Sequence, residues 1–302
     1  MGNSENLLGK ALSKVVFFLQ RGLQQLLDSQ KRPGALAKEK AELEAASNFD
    51  DEVVQKVIAS TLKCVSLRTS PPESIQRILD ERRRMQADRT VLADGSLGEP
   101  GPFDVGKLAQ DAYKVSKPHT AALQLYQLVR ELKPKTILEI GTNVGVSSAY
   151  LSAALNDAGV DGRIITLDAS PYRLREAEKL HKNLGFTNIE YRQGYFEDTL
   201  DDAIVELGSI DIAFIDGNHH YEPTIEYTNK ILPCANDGAV LVYDDIRWFR
   251  DPGMLKAWNE IERDERFVAT VDLESVGLAV HRKQPVPRDK RLIVPRLEFW
   301  LK

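Results

Sequence analysis

Seven short apolar runs punctuate the second part of this chain, most of them separated by amphipathic stretches of helical period. The runs are Thr136–Ile140, Arg163–Asp168, Ile189–Arg192, Ile210–Asp216, Ala239–Asp244, Phe267–Asp272 and Gly277–His281. The helical stretches are Lys107–Leu132, Val146–Asn156, Tyr172–Leu184, Phe196–Glu206, Pro223–Leu232 and Pro252–Asp264. Continuous apolar strands between such helices predict a parallel sheet covered on both faces. The last two strands are joined only by Leu273–Val276. That link is too short for a helical crossover, so the final strand is predicted to run antiparallel. The expected fold is α/β, a doubly wound and mostly parallel seven-stranded sheet.

Three regions follow from this patterning. Residues 1–103 form a helical N-terminal extension, with helices expected over 35–47, 50–64 and 71–87 and a Gly/Pro-rich linker or lid loop over Ala93–Phe103. Residues 104–283 carry the sheet. Residues 284–302 form a basic, Pro-punctuated tail. Near the start, Leu8, Leu12, Val15, Val16, Leu19, Leu23, Leu26 and Leu27 recur at helical spacing. That stripe reads as a helix packed on the main domain or on a second subunit, with contact to a membrane surface as the lesser alternative.

Composition removes several classes. The net charge is −5, with 40 basic and 45 acidic residues, which argues against a nucleic-acid partner. Cys64 and Cys234 are the two cysteines, too few for a disulfide framework or a structural zinc site. No apolar run is long enough to span a bilayer. A cytoplasmic protein, probing small molecules and assembling as a homo-oligomer, is the expectation.

The first strand leads into ILEIGTNVGVSSAYL, residues 137–151. Glycines there let a backbone turn sharply and approach a ligand. The dinucleotide fingerprint G-x-G-x-x-G fails, because Asn143 and Val146 stand at its later glycines. A nicotinamide enzyme is disfavoured accordingly. The second strand ends in Asp168, placed to accept the two ribose hydroxyls of an adenosine. The fourth and fifth strands end in Asp216 and in Asp244-Asp245. Ligands bind at that carboxyl edge of an open α/β sheet. Three carboxylates meeting there would repel one another unless a cation or a proton intervenes, and an oxygen-only donor set suits Mg²⁺.

Taken in order, Glu139-x-Gly141-x-x-x-Gly145, Asp168, Gly194 and the terminal hairpin resemble the class I S-adenosylmethionine-dependent methyltransferases. The resemblance implies cofactor binding by Glu139, Gly141, Thr142, Asn143, Gly145, Ser147, Asp168, Ala169, Gly194, Tyr195 and Asp216. Tyr195 stands where many relatives have Asp or Ser, and could stack on the base. Asp216 followed by Asp244-Asp245 resembles the metal-dependent small-molecule and sugar O-methyltransferases, which implies Mg²⁺ on Asp216, Asp244 and Asp245. Three residues after the first Asp those enzymes carry a general base; here it is His219, with adjacent His220 as its rival. The stretches FIDGNHHYEPT and YDDIRW also resemble a group of bacterial methyltransferases.

The expected activity is Mg-assisted O-methylation of a hydroxyl on a small-molecule or sugar-like acceptor, with His219 and Asp216 catalytic. A metal-independent N- or O-methyltransferase and a non-catalytic cofactor-binding scaffold are the alternatives. Asp244 and Asp245 have a structural alternative as well, capping the following loop or pairing with Arg247. Tyr221, Trp248 and Trp258 could line the acceptor pocket or serve the core. Ser116-Lys117-Pro118-His119 precedes the helix before the first strand; the resemblance implies an entry region toward the cofactor's methionine end or the acceptor, and a plain helix-start turn is the alternative.

Overall fold

The computed structural model describes residues 33–99, 101–102, 104–248, 250–298 and 300–301. The apolar stripe between Leu8 and Leu27 lies outside them. The strands are β1 (Thr136–Ile140), β2 (Arg163–Asp168), β3 (Ile189–Gln193), β4 (Ile210–Ile215), β5 (Ala235–Asp244), β6 (Phe267–Asp272), β7 (Val276–His281) and β8 (Leu292–Val294). They form one sheet in the order β3-β2-β1-β4-β5-β7-β6-β8. All pairings are parallel except those of β7, which is antiparallel to both β5 and β6. The expected doubly wound fold is present, with an eighth strand from the basic tail, parallel to β6. Three residues among prolines and arginines were too short a run to stand out as a strand.

Strand order reverses between β1 and β4, the place where a doubly wound sheet opens a ligand crevice. Alternate residues of each strand enter different apolar layers. Ile137, Ile212 and Phe214 face one layer, while Leu138, Ile140, Ala213 and Ile215 face the other.

The helices are α1 (described over 33–46), α2 (Glu52–Cys64), α3 (Glu73–Ala87), α4 (Ala109–Lys114), α5 (His119–Leu132), α6 (Val146–Asp157), α7 (Pro171–Leu184), α8 (Phe196–Leu207), α9 (Tyr221–Ile231) and α10 (Gly253–Ile261). Local chemistry sets their ends. Ser170 caps α7 by accepting from the Arg173 amide at 3.1 Å, Pro171 opens the helix, and left-handed Gly185 closes it. Asp51 caps α2 through the amides of Val53 and Val54 and also pairs with Arg282 at the end of β7. Leu43, Val54, Val57 and Ile58 bury into the same apolar layer as α5 and α6. Trp300 of the tail reaches α2, its indole donating to the Thr61 carbonyl at 2.9 Å.

One expected helix is two. The stretch predicted over Lys107–Leu132 breaks after Lys114 and resumes at His119. Pro118 is the cause: it lacks an amide proton and disfavours helical geometry in the residue before it, so Lys117 stands in a non-helical turn.

Among the described residues, no helix is long and apolar enough to cross a membrane.

Candidate active site

The turn after β1 is held from below. Gly141 and Thr142 both donate backbone N–H to the Leu167 carbonyl, each at 3.0 Å. Gly141 has φ +106°, where a side chain is strained. A Cβ there would lie 2.9 Å from the Asp216 carbonyl carbon and closer still to its oxygen. Gly145, at φ +77°, caps α6. Its carbonyl accepts from His181 Nε2 at 2.7 Å, and His181 Nδ1 accepts from the Tyr191 hydroxyl at 2.6 Å. Those partners fix one neutral tautomer, and burial lowers the His181 pKa to about 4.

Glu139 is fully buried beneath the turn. Its Oε2 accepts from Ser148 and, at 2.6 Å, from Thr166; the Thr142 hydroxyl in turn donates to Thr166 at 2.6 Å. Oε1 has no hydrogen-bond partner. Burial raises the Glu139 pKa to about 7, opposed by hydroxyls that include Ser147.

These two shifts have opposite linkage. Glu139 binds its proton more tightly folded than unfolded, so its contribution to stability is lost as pH rises from 4.5 to about 7. His181 binds its proton less tightly folded, so its contribution is lost as pH falls from 6.5 to about 4. Over most of the shared range they cancel. Relative to wild type, urea unfolding of His181→Gln is expected to lose roughly 3 kcal/mol more as pH rises across the Glu139 window. Glu139→Gln is expected to show the opposite slope. Matching pH profiles in both variants would refute the two assignments.

Asp168 lies at the end of β2 as expected. Its Oδ2 accepts from the Asn143 amide at 2.7 Å and its Oδ1 from the Ser170 amide at 2.9 Å. Each oxygen keeps a further acceptor position, and burial raises the pKa. Asn143, at φ +48°, also ties the turn to α4 through the Ala112 carbonyl at 3.2 Å. Gly194 donates to the Asp168 carbonyl at 3.1 Å; Ala169 and Tyr195 are exposed, Tyr195 at 67%.

The loop expected as a linker or lid is strapped to the first turns of α7. Tyr172 donates to the Gly98 carbonyl at 2.5 Å, Arg175 reaches Asp94 and the Leu92 carbonyl, and Arg173 pairs with buried Asp104 at 2.8 Å. Nothing in the sequence singled out Asp104 and Arg173, which sit 69 residues apart.

At the ends of β4 and β5, Asp216 and Asp244 come together on a residue not expected there. Lys117 Nζ pairs with Asp244 and lies 3.5 Å from Asp216 Oδ2. Its side chain is 5% exposed and packs over the Phe214 ring at 5.4 Å. Burial raises the Asp216 pKa, and Lys117 followed by His219 opposes the rise. His219 Nε2 is 3.9 Å from Asp216 Oδ1, and its ring centroid is 5.3 Å from that of Trp248. His220 is turned away onto Asp251.

The expected magnesium donor set does not fit this arrangement. Asp245 (φ +50°) has no side-chain hydrogen bond or ion pair among the described residues. No three His, Cys, Asp or Glu side chains among those residues are grouped to hold a metal. Asp245 lies near enough to oppose ionisation of Asp216, but the acids that meet directly, Asp216 and Asp244, already hold an ammonium. A dication beside that ammonium would be repelled by it, and Lys117 already supplies the positive charge those carboxylates need. The expected pairing of these acids with Arg247 is replaced by another, because Arg247 pairs with Asp272 at 2.5 Å. Trp258 is buried core with its indole on Asp272, and Tyr221 donates to Glu260 at 2.6 Å. His119 bonds Tyr150 at 2.7 Å.

A family model described as a methyltransferase domain matches residues 138–246. The chain is 30% identical over 176 residues to a catechol O-methyltransferase of Niastella koreensis, covering 58% of this chain and 73% of that protein. It is 26% identical over 128 residues to caffeoyl-CoA O-methyltransferase 2 of Petunia hybrida, of which it spans 51%. An O-methyltransferase from Bacillus cereus in complex with S-adenosylhomocysteine shares the fold, with a TM-score of 0.53 at 21% identity over 70% of this chain and 93% of that one. The chain belongs to the class I S-adenosylmethionine-dependent O-methyltransferases.

Proposed function

We propose that the chain methylates a hydroxyl of a small-molecule or sugar-like acceptor at the carboxyl edge of β4 and β5, with His219 as the base and Asp216 as its partner. One observation carries this reading. Gly141 presses on the Asp216 backbone while the Asp216 carboxylate faces Lys117 and His219, so the cofactor turn and the acid–base cluster meet at one residue.

The residues present suit the cofactor. Glu139 Oε1 is a buried acceptor without a hydrogen-bond partner, and both Asp168 oxygens keep an acceptor position beyond their bonds to the Asn143 and Ser170 amides. Glu139, Gly141, Thr142, Asn143, Gly145 and Ser147 would hold its amino-acid end. Asp168 and Ala169 would meet the ribose, and Gly194 and Tyr195 the base. When bound, S-adenosylmethionine supplies a methyl already activated on a sulfonium, which departs as a neutral thioether as an acceptor oxygen takes the methyl.

The protein must then supply a deprotonated, aligned oxygen. His219 takes the hydroxyl proton on its imidazole. Asp216, 3.9 Å away, stabilises the resulting imidazolium. Holding the oxygen in line removes much of the entropic barrier. The magnesium-assisted form of this reaction is not the one proposed, since Lys117 occupies the acidic cluster.

Calorimetry with S-adenosylmethionine, followed by S-adenosylhomocysteine release across a panel of phenols, catechols and sugars, tests the reading. Saturable binding with turnover of at least one hydroxyl acceptor is expected. Binding without product from any of them would favour a non-catalytic scaffold.

A further inference from the structure

We infer that Lys117 is the resident cation of the acceptor site and replaces a divalent metal there. This rests on the acceptor site proposed above. Asp216 and Asp244 leave neighbouring strands with side chains 19% and 5% exposed, so water screens them little. Two such carboxylates need a positive partner, and Lys117 is that partner.

The lysine is placed by its backbone. Arg82 donates to the Lys117 carbonyl at 3.0 Å, and the Ser116 amide donates to the Tyr113 carbonyl at 2.9 Å. Asn143, from the cofactor turn, donates to Ser116 Oγ at 3.4 Å. Pro118 fixes the direction in which the chain leaves. The ammonium is therefore clamped between the cofactor turn and the acidic edge. Evicting it for a metal would strand a buried charge without a carboxylate.

This substitution changes which acceptor the site selects. A metal with two open positions grips two vicinal oxygens. An ammonium has three N–H groups, and two of them face Asp244 and Asp216. One remains, enough to hold a single acceptor oxygen beside His219. The substrate class is thus a lone hydroxyl rather than a chelating diol.

The test titrates MnCl₂ into the full chain, with and without S-adenosylmethionine, and reads free Mn²⁺ by electron paramagnetic resonance. Lys117→Met deletes the charge while keeping much of the stem's volume; Lys117→Arg keeps the charge. Wild type and Lys117→Arg are expected to show no saturable binding up to on the order of 1 mM, and Lys117→Met to bind at least about tenfold more tightly. Micromolar binding by wild type overturns the inference. So does a folded Lys117→Met, checked by melting temperature, that binds no better than wild type. If Lys117→Met fails to fold, Lys117→Gln takes its place under the same criteria. Mn²⁺ binding needs no methyl transfer, so a failure here leaves the methyltransferase reading intact, whereas absent cofactor binding by calorimetry strikes that reading alone.

Discussion

Replacing Gly141 with alanine is expected to weaken S-adenosylmethionine binding at least about 100-fold, or roughly 2.7 kcal/mol. Two independent costs combine. At φ +106° a side chain is strained whatever the surrounding space, by about 1–3 kcal/mol. The added Cβ would also run into the Asp216 carbonyl, which is backbone and cannot swing aside. Relief requires the turn to lift, and lifting it breaks the paired amide bonds from Gly141 and Thr142 to Leu167. Gly145→Ala is the natural comparison. Its Cβ would meet Ala177 Cβ, which moves only with the α7 backbone, and the His181 ring, each at 2.7 Å, and φ +77° adds backbone strain there too. A loss of affinity is expected at this position as well, through displacement of α7 and His181 in place of the turn anchored on Leu167. Calorimetry on both variants, with melting curves to confirm folding, checks both. Wild-type affinity in Gly141→Ala would remove that turn from the cofactor site.

How much of this was legible before the structure depends on the range of the interaction. The strands were readable because a sheet buried on both faces demands contiguous apolar runs; Ile212–Ile215 is one, and Ile137–Ile140 is interrupted only by Glu139. The antiparallel β7 followed from the brevity of Leu273–Val276. The break before His119 was signalled by Pro118, but apolar periodicity on both sides of it outweighed one residue. The three acids were visible as a set because strand ends share an edge. Their counter-ion was not. Lys117 lies 99 positions before Asp216, and nothing local to a lysine in a helix-start turn says which carboxylates it will meet. Arg247 is the reverse case: sequence proximity to Asp244 and Asp245 suggested a pair, yet the β6–β7 hairpin brings Asp272 to it instead. Charge partners across a sheet edge are set by topology, and only the folded chain displays them.

His219→Ala is expected to lower kcat by about 10²–10³ while leaving cofactor affinity within about twofold of wild type. The neighbouring histidine sharpens this. His220 is bound to Asp251 and sits beside the start of α9, so His220→Ala should cost little activity. His219 differs in being uncommitted. At 3.9 Å from Asp216 it is too far for a hydrogen bond, yet close enough for the carboxylate to stabilise the cation that proton capture creates. A base in that position can turn onto an acceptor hydroxyl without first breaking a strong bond. Lys117 makes the division of labour possible. It holds Asp244 and faces one Asp216 oxygen, leaving the other directed to the imidazole. His219→Gln retains a hydrogen-bonding side chain but has no imidazole to accept the proton, so it should fall with the alanine variant. Steady-state turnover of the four proteins on one acceptor decides the assignment. If His220→Ala is the more damaged enzyme, the base is His220, and the Asp216–His219 pair is a structural contact at the rim of the site.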